Sequence, residues 1–502
     1  MHIQAAVHKN RYQDSVRLMQ ISRQAGELPG VHKVLALLGT DSNKKVLSDL
    51  GLLDAEIAAA TANDLVVCVE ADSPEAAQAA FAEVDLRLRS GTVETQAGQE
   101  KPKSLEDAVG RLPGANFAMI SLPGQFAKLD VISALEQNLN VMLFSDNISL
   151  EDELDLKKIA VKKKLLLMGP DCGTAIVNGV ALALANIVRR GDIGIAAASG
   201  TGIQEVSCLI DRFGGGVSHA IGVGGRDLRA EIGGTMMCHA IRTLAEDPGT
   251  KRLILLSKPG APAVMDKVLN TARETGLEVV ACLLGAGEKS LPGMTLAPTL
   301  EEAAFTAMGQ KVPELKIAPA LRERAKKLAP ERRYLRGLFS GGTLCYEALY
   351  ILRDSLEVES NVALKPELKL HYPAKGSAHY CMDLGEDEFT VGRPHPIIDL
   401  SLRLEWLAEN LTVPTVKVVL LDLVLGYGAN RDPASDLLAG LAKIWKKPAD
   451  GGPLILAHVC GTDNDPQKLA VQEEMLDKAG IFLFPTNAQA ARAALTLVRG
   501  QF

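Results

Sequence analysis

The sequence of 502 residues is poor in the features that mark nucleic-acid-binding, membrane and secreted proteins. Aromatic residues make up only 4%, and 54 basic residues stand against 61 acidic ones, so the net charge is −7. Nucleic-acid binders usually have a basic surplus and aromatic side chains on which bases stack, so we expect no nucleic-acid partner. No apolar run reaches the roughly 18 residues of a membrane span, and the first residues lack the apolar core of a signal peptide. We therefore expect a cytoplasmic protein with no membrane partner.

The cysteines and histidines lack the spacing that metal sites need. The eight cysteines stand singly, without a C-x-x-C pair, and the nine histidines include no H-x-x-x-H pair. Structural zinc needs closely spaced ligands, and disulfide frameworks are typical of short secreted chains. We expect the thiols to be small core residues and predict no metal site. The G-x-x-x-x-G-K-[ST] phosphate loop is also missing, so the sequence contains no obvious ATP site.

Short aliphatic runs alternate with longer segments of helical periodicity along the whole chain. The runs are continuously apolar, as parallel strands covered on both faces should be, which predicts an α/β protein with several doubly wound units. Stretches rich in Gly, Pro or charge at residues 90–103 and 311–333 are candidate linkers. The predicted domains are a small N-terminal α/β module with its linker (1–103) and three further α/β domains (104–190, 191–310 and 334–502).

The last two predicted domains contain three similar blocks in the same order, which indicates an internal repeat. The first copy has its blocks at residues 193–202, 223–227 and 255–260, and the second has them at 337–344, 391–395 and 420–423. The second copy is longer between its first two blocks, which predicts an insertion around residues 357–388. The repeat predicts two domains of related topology.

The first block of each copy contains a Gly-rich turn between a predicted strand and a predicted helix. The first turn of a helix leaves N–H groups unpaired and carries partial positive charge, and glycine lets an anion approach the backbone closely. Ser and Thr hydroxyls add donors, although at a helix start they also serve simply as caps. Pseudo-twofold packing of the repeats would bring both helix ends to one phosphate. The predicted phosphate-binding residues are Ser199, Gly200, Thr201, Gly202, Ser340, Gly341, Gly342 and Thr343.

The second block adds arginines and a histidine that stands between two prolines. Arginine offers a planar fork to phosphate or carboxylate, and a stiff backbone suits an oriented acid–base imidazole. The simpler interpretations are that the histidine satisfies local backbone groups and that Arg393 pairs with Asp399. The candidate catalytic residues are His395 and Arg393, and the candidate substrate-binding residues are Gly224, Gly225, Arg226, Lys258 and Asp399.

In the second predicted domain, turns at residues 145–147 and 168–174 each follow a strand. Ligands of doubly wound sheets lie beyond the carboxyl ends of the strands, so these turns are candidate walls of a nucleotide-like pocket. Ordinary turn chemistry explains their Gly, Pro, Asp and Asn residues equally well.

These motifs resemble known proteins. Residues 167–172, 193–201 and 222–225 resemble, in this order, the motifs of the α subunit of succinyl-CoA synthetase, and the C-terminal domain resembles the CoA-ligase domain of its β subunit. The chain is similar to the FdrA family over almost its full length, through residues 12–16, 140–147, 168–174, 199–205, 224–228 and 390–399. The resemblance implies a Rossmann-like CoA-binding-type domain, followed by two flavodoxin-like domains of the succinyl-CoA synthetase type.

The sequence departs from the synthetase pattern in two ways. The synthetase α subunit has a phosphorylated histidine in a Gly-His-Ala-Gly segment, whereas the corresponding stretch here reads Leu283-Leu284-Gly285-Ala286-Gly287. An ATP-grasp domain, from which that histidine carries phosphoryl groups, is also missing. Phosphohistidine chemistry is therefore not expected from this chain alone.

The resemblance to FdrA implies carbamoyl transfer in purine (allantoin) breakdown, with partner subunits. The reaction interconverts oxalurate plus phosphate with oxamate plus carbamoyl phosphate. Phosphate or carbamoyl phosphate is then a substrate, CoA is a candidate ligand, and no cofactor is certain. One alternative is an acyl-CoA synthetase whose ATP-binding part lies on another chain, and another is a non-catalytic scaffold subunit.

Overall fold

The structure is a computed structural model. It describes residues 2–11, 13, 15–26, 28–40, 43–44, 47–48, 51–90, 102–285, 292–371, 378–390, 393–444 and 452–500. The chain forms two compact units, one of Met1–Lys101 with Asp387–Pro394 and one of Pro102–Glu386 with His395–Phe502. The predicted 90–103 linker falls mostly outside the described residues.

The N-terminal unit is a three-stranded antiparallel sheet with helices. The sheet order is β1-β3-β2. Alternate residues of β3 face opposite sides: Val67 and Val69 join the core with the two long helices, whereas Val66 and Cys68 join a smaller cluster on the other face. The elements are β1 His2–His8, α1 Ser15–Gly26, β2 Val31–Leu38, α2 Ala55–Ala58, β3 Leu65–Ala71 and α3 Pro74–Ser90, with a short helix Asp387–Thr390.

The second unit begins with a small parallel sheet of order β4-β5-β6. Val141, Met142 and Leu143 of the middle strand are fully buried, as expected for a strand covered on both faces. The elements are α4 Leu105–Arg111, β4 Phe117–Ile120, α5 Gly124–Glu136, β5 Asn140–Leu143, α6 Leu150–Lys162 and β6 Leu167–Met168.

The next sheet has the order β13-β12-β11-β9-β10-β7-β8. Strands β9 to β13 are parallel, and the hairpin β7–β8 extends the sheet by antiparallel pairing with β10. The sheet therefore begins before residue 191, where the sequence placed the domain boundary. The elements are β7 Thr174–Val177, β8 Val180–Ala183, β9 Arg190–Ala197, α7 Gly200–Arg212, β10 Val217–Gly222, α8 Thr235–Glu246, β11 Arg252–Ser257, α9 Pro262–Glu274, β12 Glu278–Leu283, β13 Thr295–Leu296 and α10 Leu300–Ala307.

The last sheet is wholly parallel, with the order β15-β16-β14-β17-β18-β19. Within the predicted 311–333 linker, a helix buries Leu321 and Ala325 and so belongs to the packed structure. The elements are α11 Pro319–Lys326, β14 Tyr334–Phe339, α12 Gly342–Leu352, β15 Val358–Glu359, a 3₁₀ turn Pro366–Leu368, β16 His379–Asp383, α13 Ser401–Thr412, β17 Val416–Val424, α14 Pro433–Ile444, β18 Leu454–Cys460, α15 Leu469–Lys478, β19 Phe482–Phe484 and α16 Asn487–Arg499.

The last two sheets confirm the predicted repeat in their topology. In one, β9 lies between β10 and β11; in the other, β14 lies between β16 and β17. One hydrophobic core spans both sheets and takes apolar side chains from α7 and α12, including Ile203, Val206, Leu344 and Ala348. The helices that follow the two central strands therefore pack into a common core, and the predicted multi-domain α/β fold is confirmed.

The second block of the repeat is displaced from the predicted position. In the first copy, Val223 and Gly224 follow β10 directly, but the corresponding strand β16 already ends at Asp383. Leu384 and Gly385 therefore hold the equivalent place, ahead of the predicted 391–395 block. Val391 and Gly392 lie outside the described residues.

Candidate functional site

The amino-terminal ends of α7 and α12 meet, as the paired-loop prediction requires. Ser199 Oγ lies 2.6 Å from Thr343 Oγ1, and the Thr343 N–H donates to Thr201 Oγ1 over 3.2 Å. Each helix follows the central strand of its sheet, so both ends lie at the carboxyl edge of parallel strands. The two loops of the repeat are thus joined directly through their hydroxyl groups.

The first loop combines a cap with exposed helix-end groups. Ser199 has extended backbone angles and its Oγ accepts from the Gly202 N–H over 3.0 Å, which is an N-cap. A Cβ on Gly202 would lie 2.4 Å from this oxygen, so only glycine fits. Ser199, Gly200 and Thr201 are half-buried, whereas Gly202 is buried. Ser199 is therefore a helix cap, as the simpler interpretation of the loop holds, and the outer part of the loop remains accessible to a ligand.

The second loop donates to a carboxylate of the protein itself. Asp422 of β17 accepts from the Ser340 N–H and Oγ–H over 2.8 and 3.0 Å, and from the Gly341 N–H over 2.7 Å. Arg403 Nη2 also donates to Asp422 Oδ1 over 2.7 Å, and both side chains are fully buried. These donors of Ser340 and Gly341 thus already bind an internal anion, while Gly342 at the start of the helix is half-buried.

Lys258 and Asp383 lie beside the start of α12. A Cβ on Gly342 would lie 2.4 Å from Asp383 Oδ2 and 3.5 Å from Lys258 Nζ. Lys258 follows β11, so it reaches this point from the other sheet of the repeat. The structure therefore brings Lys258 to the paired loops, as the prediction of a substrate-binding role requires. Asp383, which ends β16, was not predicted.

Burial dominates the protonation of the groups around α12. It raises the pKa of Asp383 to about 7, although the neighbouring Lys258 cation opposes the shift. Burial likewise lowers the pKa of His395 to about 4, against the charge of Asp422. At neutral pH the imidazole is therefore uncharged, and the Asp383 carboxyl is close to its midpoint of titration.

His395 lies at the carboxyl end of β16. A Cβ on Gly385 would lie 2.5 Å from His395 Nε2, and 3.0 Å from the Ser340 carbonyl oxygen. His395 Nδ1 accepts from the Ile397 N–H over 3.2 Å, so the local backbone contact is realised. A neutral imidazole that accepts at Nδ1 carries its proton on Nε2, which leaves Nε2–H as a donor.

Arg393 belongs to the N-terminal unit, whereas His395 belongs to the second unit. Arg393 is exposed, and its N–H donates to the Thr390 carbonyl over 3.2 Å. Its predicted catalytic role stays a prediction. Asp399 Oδ1 accepts from the Ser401 N–H over 2.7 Å just before α13, so this carboxylate is held in a local Asx turn.

Arg226 already has an acidic partner. Its Nη2 lies 2.8 Å from Glu153 Oε2, and Glu153 also accepts from the buried Lys157 Nζ over 2.8 Å. Gly224 has a φ of +85°, and a Cβ there would lie 2.4 Å from the Pro170 carbonyl oxygen, whereas Gly225 is open. Gly224 is therefore required for packing of the turn, and Arg226 needs a rearrangement of its ion pair before it can bind a substrate.

The two turns of the predicted nucleotide-like pocket do adjoin each other. The Asp171 N–H donates to the Ser145 carbonyl over 3.0 Å, and Gly169 packs against Leu143 so closely that a Cβ would lie 2.3 Å from its oxygen. The buried Ser145 hydroxyl has no hydrogen-bond partner among the described residues. This polar group at a strand end is compatible with a ligand such as CoA, and its role stays a prediction.

Residues 338–497 match the family model described as CoA-ligase, and residues 1–104 match the model described as AllF, heavy metal-associated domain. The chain is 41% identical to the uncharacterized protein YahF of Escherichia coli K12, over 98% of each chain. It is 27% identical to the α subunit of succinate–CoA ligase [ADP-forming] of Aquifex aeolicus, over 34% of this chain and 57% of that subunit.

Among solved structures, the apo form of the dinucleotide-forming acetyl-coenzyme A synthetase 1 of Ca. Korarchaeum cryptofilum aligns with 77% of this chain and 83% of its own, at 15% identity and a TM-score of 0.31. A score this low carries no functional conclusion. None of the helices in the described part of the chain combines the length and the apolar composition of a membrane span.

The heavy-metal description does not fit the residues of the N-terminal unit. Soft metals are usually held by two or more thiolates, and Cys68 is the single cysteine there. Burial raises the pKa of its thiol to about 11, so it is not a thiolate at neutral pH. Across the described part of the chain, no three His, Cys, Asp or Glu side chains are grouped to hold a metal ion.

Proposed function

Because the chain belongs to the same family as the Escherichia coli protein YahF and contains a CoA-ligase region, we propose that it is the phosphate-binding subunit of a carbamoyl-transferring enzyme. The proposed reaction interconverts oxamate plus carbamoyl phosphate with oxalurate plus phosphate in purine (allantoin) catabolism, with partner subunits. The observation that carries the proposal is the direct contact of the two helix ends at Ser199 and Thr343.

The phosphate lies, in this proposal, on the accessible side of the joined loops. The half-buried residues there are Ser199, Gly200, Thr201 and Gly342, and Lys258 adds a cation close to Gly342. Helix-end amides, hydroxyls and an ammonium group are the donors that phosphate binds. Ser340 and Gly341 contribute indirectly, because their donors hold Asp422 in place.

The chemistry needs orientation rather than a covalent enzyme intermediate. Holding two reactants in line lowers the barrier substantially, since the cost of bringing them together is met on binding. The neutral His395 has the Nε2–H donor that would polarise the carbamoyl carbonyl as its oxygen gains negative charge. Arg226 is a proposed partner of the phosphate or the oxamate carboxylate and would exchange Glu153 for the substrate. The role of Arg393 stays a prediction from the sequence.

A second candidate is an acyl-CoA synthetase that works with a separate ATP-binding subunit. The CoA-ligase model at residues 338–497 and the similarity to a succinate–CoA ligase α subunit favour this function. The adjoining turns around Ser145 and Asp171 are the candidate CoA contacts. The end of β12 and the residues after it read Leu283-Leu284-Gly285, and the next two residues, Ala286 and Gly287, lie outside the described residues.

The test is a phosphate-release assay with the purified chain, alone and with the proteins that co-purify with it. We expect oxamate-dependent release of phosphate from carbamoyl phosphate, lost in Lys258→Met. Lys251→Met is the matched control, because Lys251 is an exposed lysine next to the opposite end of the same strand. Acyl-CoA formation that requires ATP, CoA and a carboxylic acid would favour the ligase. No turnover in any combination would contradict both and leave a scaffold subunit.

A further inference from the structure

Asp383 is a buried carboxyl beside α12, and it takes no part in the contacts that join the two loops. It ends β16, next to the central strand β14, and is 2% exposed. Its Oδ1 accepts from the Gly385 N–H over 3.0 Å, which fixes the side chain. Its Oδ2 is the atom that a Cβ on Gly342 would approach to 2.4 Å. One oxygen is thus anchored, and the other faces the first residue of α12.

The charged and titratable groups that face Asp383 come from several neighbouring elements. They are Lys258 after β11, Glu386 in the following turn, Asp422 of β17 and the Cys345 thiol of α12. Asp422 is compensated by Arg403, so Lys258 is the cation left to balance Asp383. Burial nevertheless dominates and raises the pKa of Asp383 to about 7, the range in which a carboxyl exchanges protons efficiently.

We propose that Asp383 is a catalytic residue that exchanges a proton with the reactants bound between α7 and α12. This inference rests on the proposed function, since it needs an anion at the joined helix ends. Asp383 Oδ2 and Lys258 Nζ lie 2.4 and 3.5 Å from the same point, the position of a Cβ on Gly342, where the first would carry the proton and the second would be the fixed cation.

The proposed step balances without any further reagent. The amide nitrogen of oxamate attacks the carbamoyl carbon, and a C–N bond forms while the C–O bond to phosphate breaks. The electron pair of that C–O bond leaves with the phosphate. The proton lost by the nitrogen passes to the Asp383 carboxylate, and Asp383 stays protonated while phosphate is bound and releases the proton to solvent when phosphate leaves. In the reverse direction the protonated Asp383 returns a proton to the departing amide nitrogen.

The experiment measures binding of sulfate by calorimetry between pH 6 and 9, in buffers of different ionisation enthalpy. Sulfate keeps its charge over this range, so any linked proton resides on the protein. We expect the affinity of the wild type to fall by up to about tenfold per pH unit above pH 7, with uptake of close to one proton at pH 8. Asp383→Asn should bind sulfate with neither effect. Glu474→Gln, at an exposed carboxylate of α15, is the matched control.

A second variant tests the same inference if Asp383→Asn does not fold. Lys258 favours the ionised form of Asp383, so Lys258→Gln should shift the pH at which affinity declines upward, besides weakening binding. Sulfate binding with a flat pH profile in the wild type would overturn the role of Asp383 and leave the anion site standing. Absence of sulfate and phosphate binding at every pH would overturn the proposed function itself.

Discussion

Asp383→Asn should stabilise the protein, and the gain should depend on pH. The pKa of this carboxyl rises from 3.8 to about 7 on folding, with burial as the main cause. A raised pKa means that the native state favours the protonated form. The stability it contributes is complete below pH 3.8 and is lost as the pH rises through 7. At 1.36 kcal/mol for each pKa unit, the loss is on the order of 4 kcal/mol.

Asparagine cannot ionise, so the variant escapes this loss. Its stability should match that of the wild type near pH 4 and exceed it by on the order of 4 kcal/mol at pH 8. Urea unfolding followed by tryptophan fluorescence is the assay. The buried Trp406, which packs edge-on against Tyr380 of β16, reports on the domain that contains Asp383.

The control is Glu474→Gln in the same domain. Glu474 is exposed and pairs with the exposed Lys478, and such surface pairs contribute about 0–1 kcal/mol. The control should follow the wild type at every pH. A free energy of unfolding for Asp383→Asn that is no higher at pH 8, or that differs from the wild type by the same amount at all pH values, would refute the reasoning.

Three further substitutions, and one control, have outcomes that the structure specifies. Arg403→Met should lower the free energy of unfolding by about 3 kcal/mol in urea titrations, because it leaves Asp422 buried without its cation. Gly202→Ala should lower the melting temperature, because its Cβ displaces Ser199 Oγ and the cap is worth about 1 kcal/mol. The control Gly110→Ala should raise the melting temperature, because Gly110 lies inside a helix and the added Cβ meets open space. Ser199→Ala should cost about 1 kcal/mol in the same melt and weaken sulfate binding in calorimetry.

The strands could be predicted because parallel strands need apolar residues on both faces. The apolar run at residues 416–423 lies in β17, Val416–Val424, and the run at 454–459 lies in β18. The Gly-rich turns were found for a similar reason, since a helix that starts directly after a strand needs small or capping residues. Both kinds of signal are local, so the sequence contains them without knowledge of the partners.

The carboxylates around α12 could not be predicted, because they depend on which strands are neighbours. Asp383 and Asp422 are far apart in sequence and meet because β16 and β17 flank β14. One signal was visible: Asp422 interrupts the apolar run of residues 418–425, and a buried charge requires a partner. The assumption that adjacent residues act together also has limits, since Arg393 and His395 fall in different compact units.

The two copies of the internal repeat differ in their charged groups, and this difference sets the expected number of sulfate sites per chain. In the first copy the cap is the Ser199 hydroxyl, which leaves the outer loop half-buried and without a carboxylate bonded to its amides among the described residues. In the second copy Asp422 already occupies the amides, with Arg403 as its counter-ion. Calorimetry with sulfate should therefore give one site per chain. Two sites of similar affinity would show that an external anion displaces Asp422 from the second loop and would contradict this reading of the asymmetry.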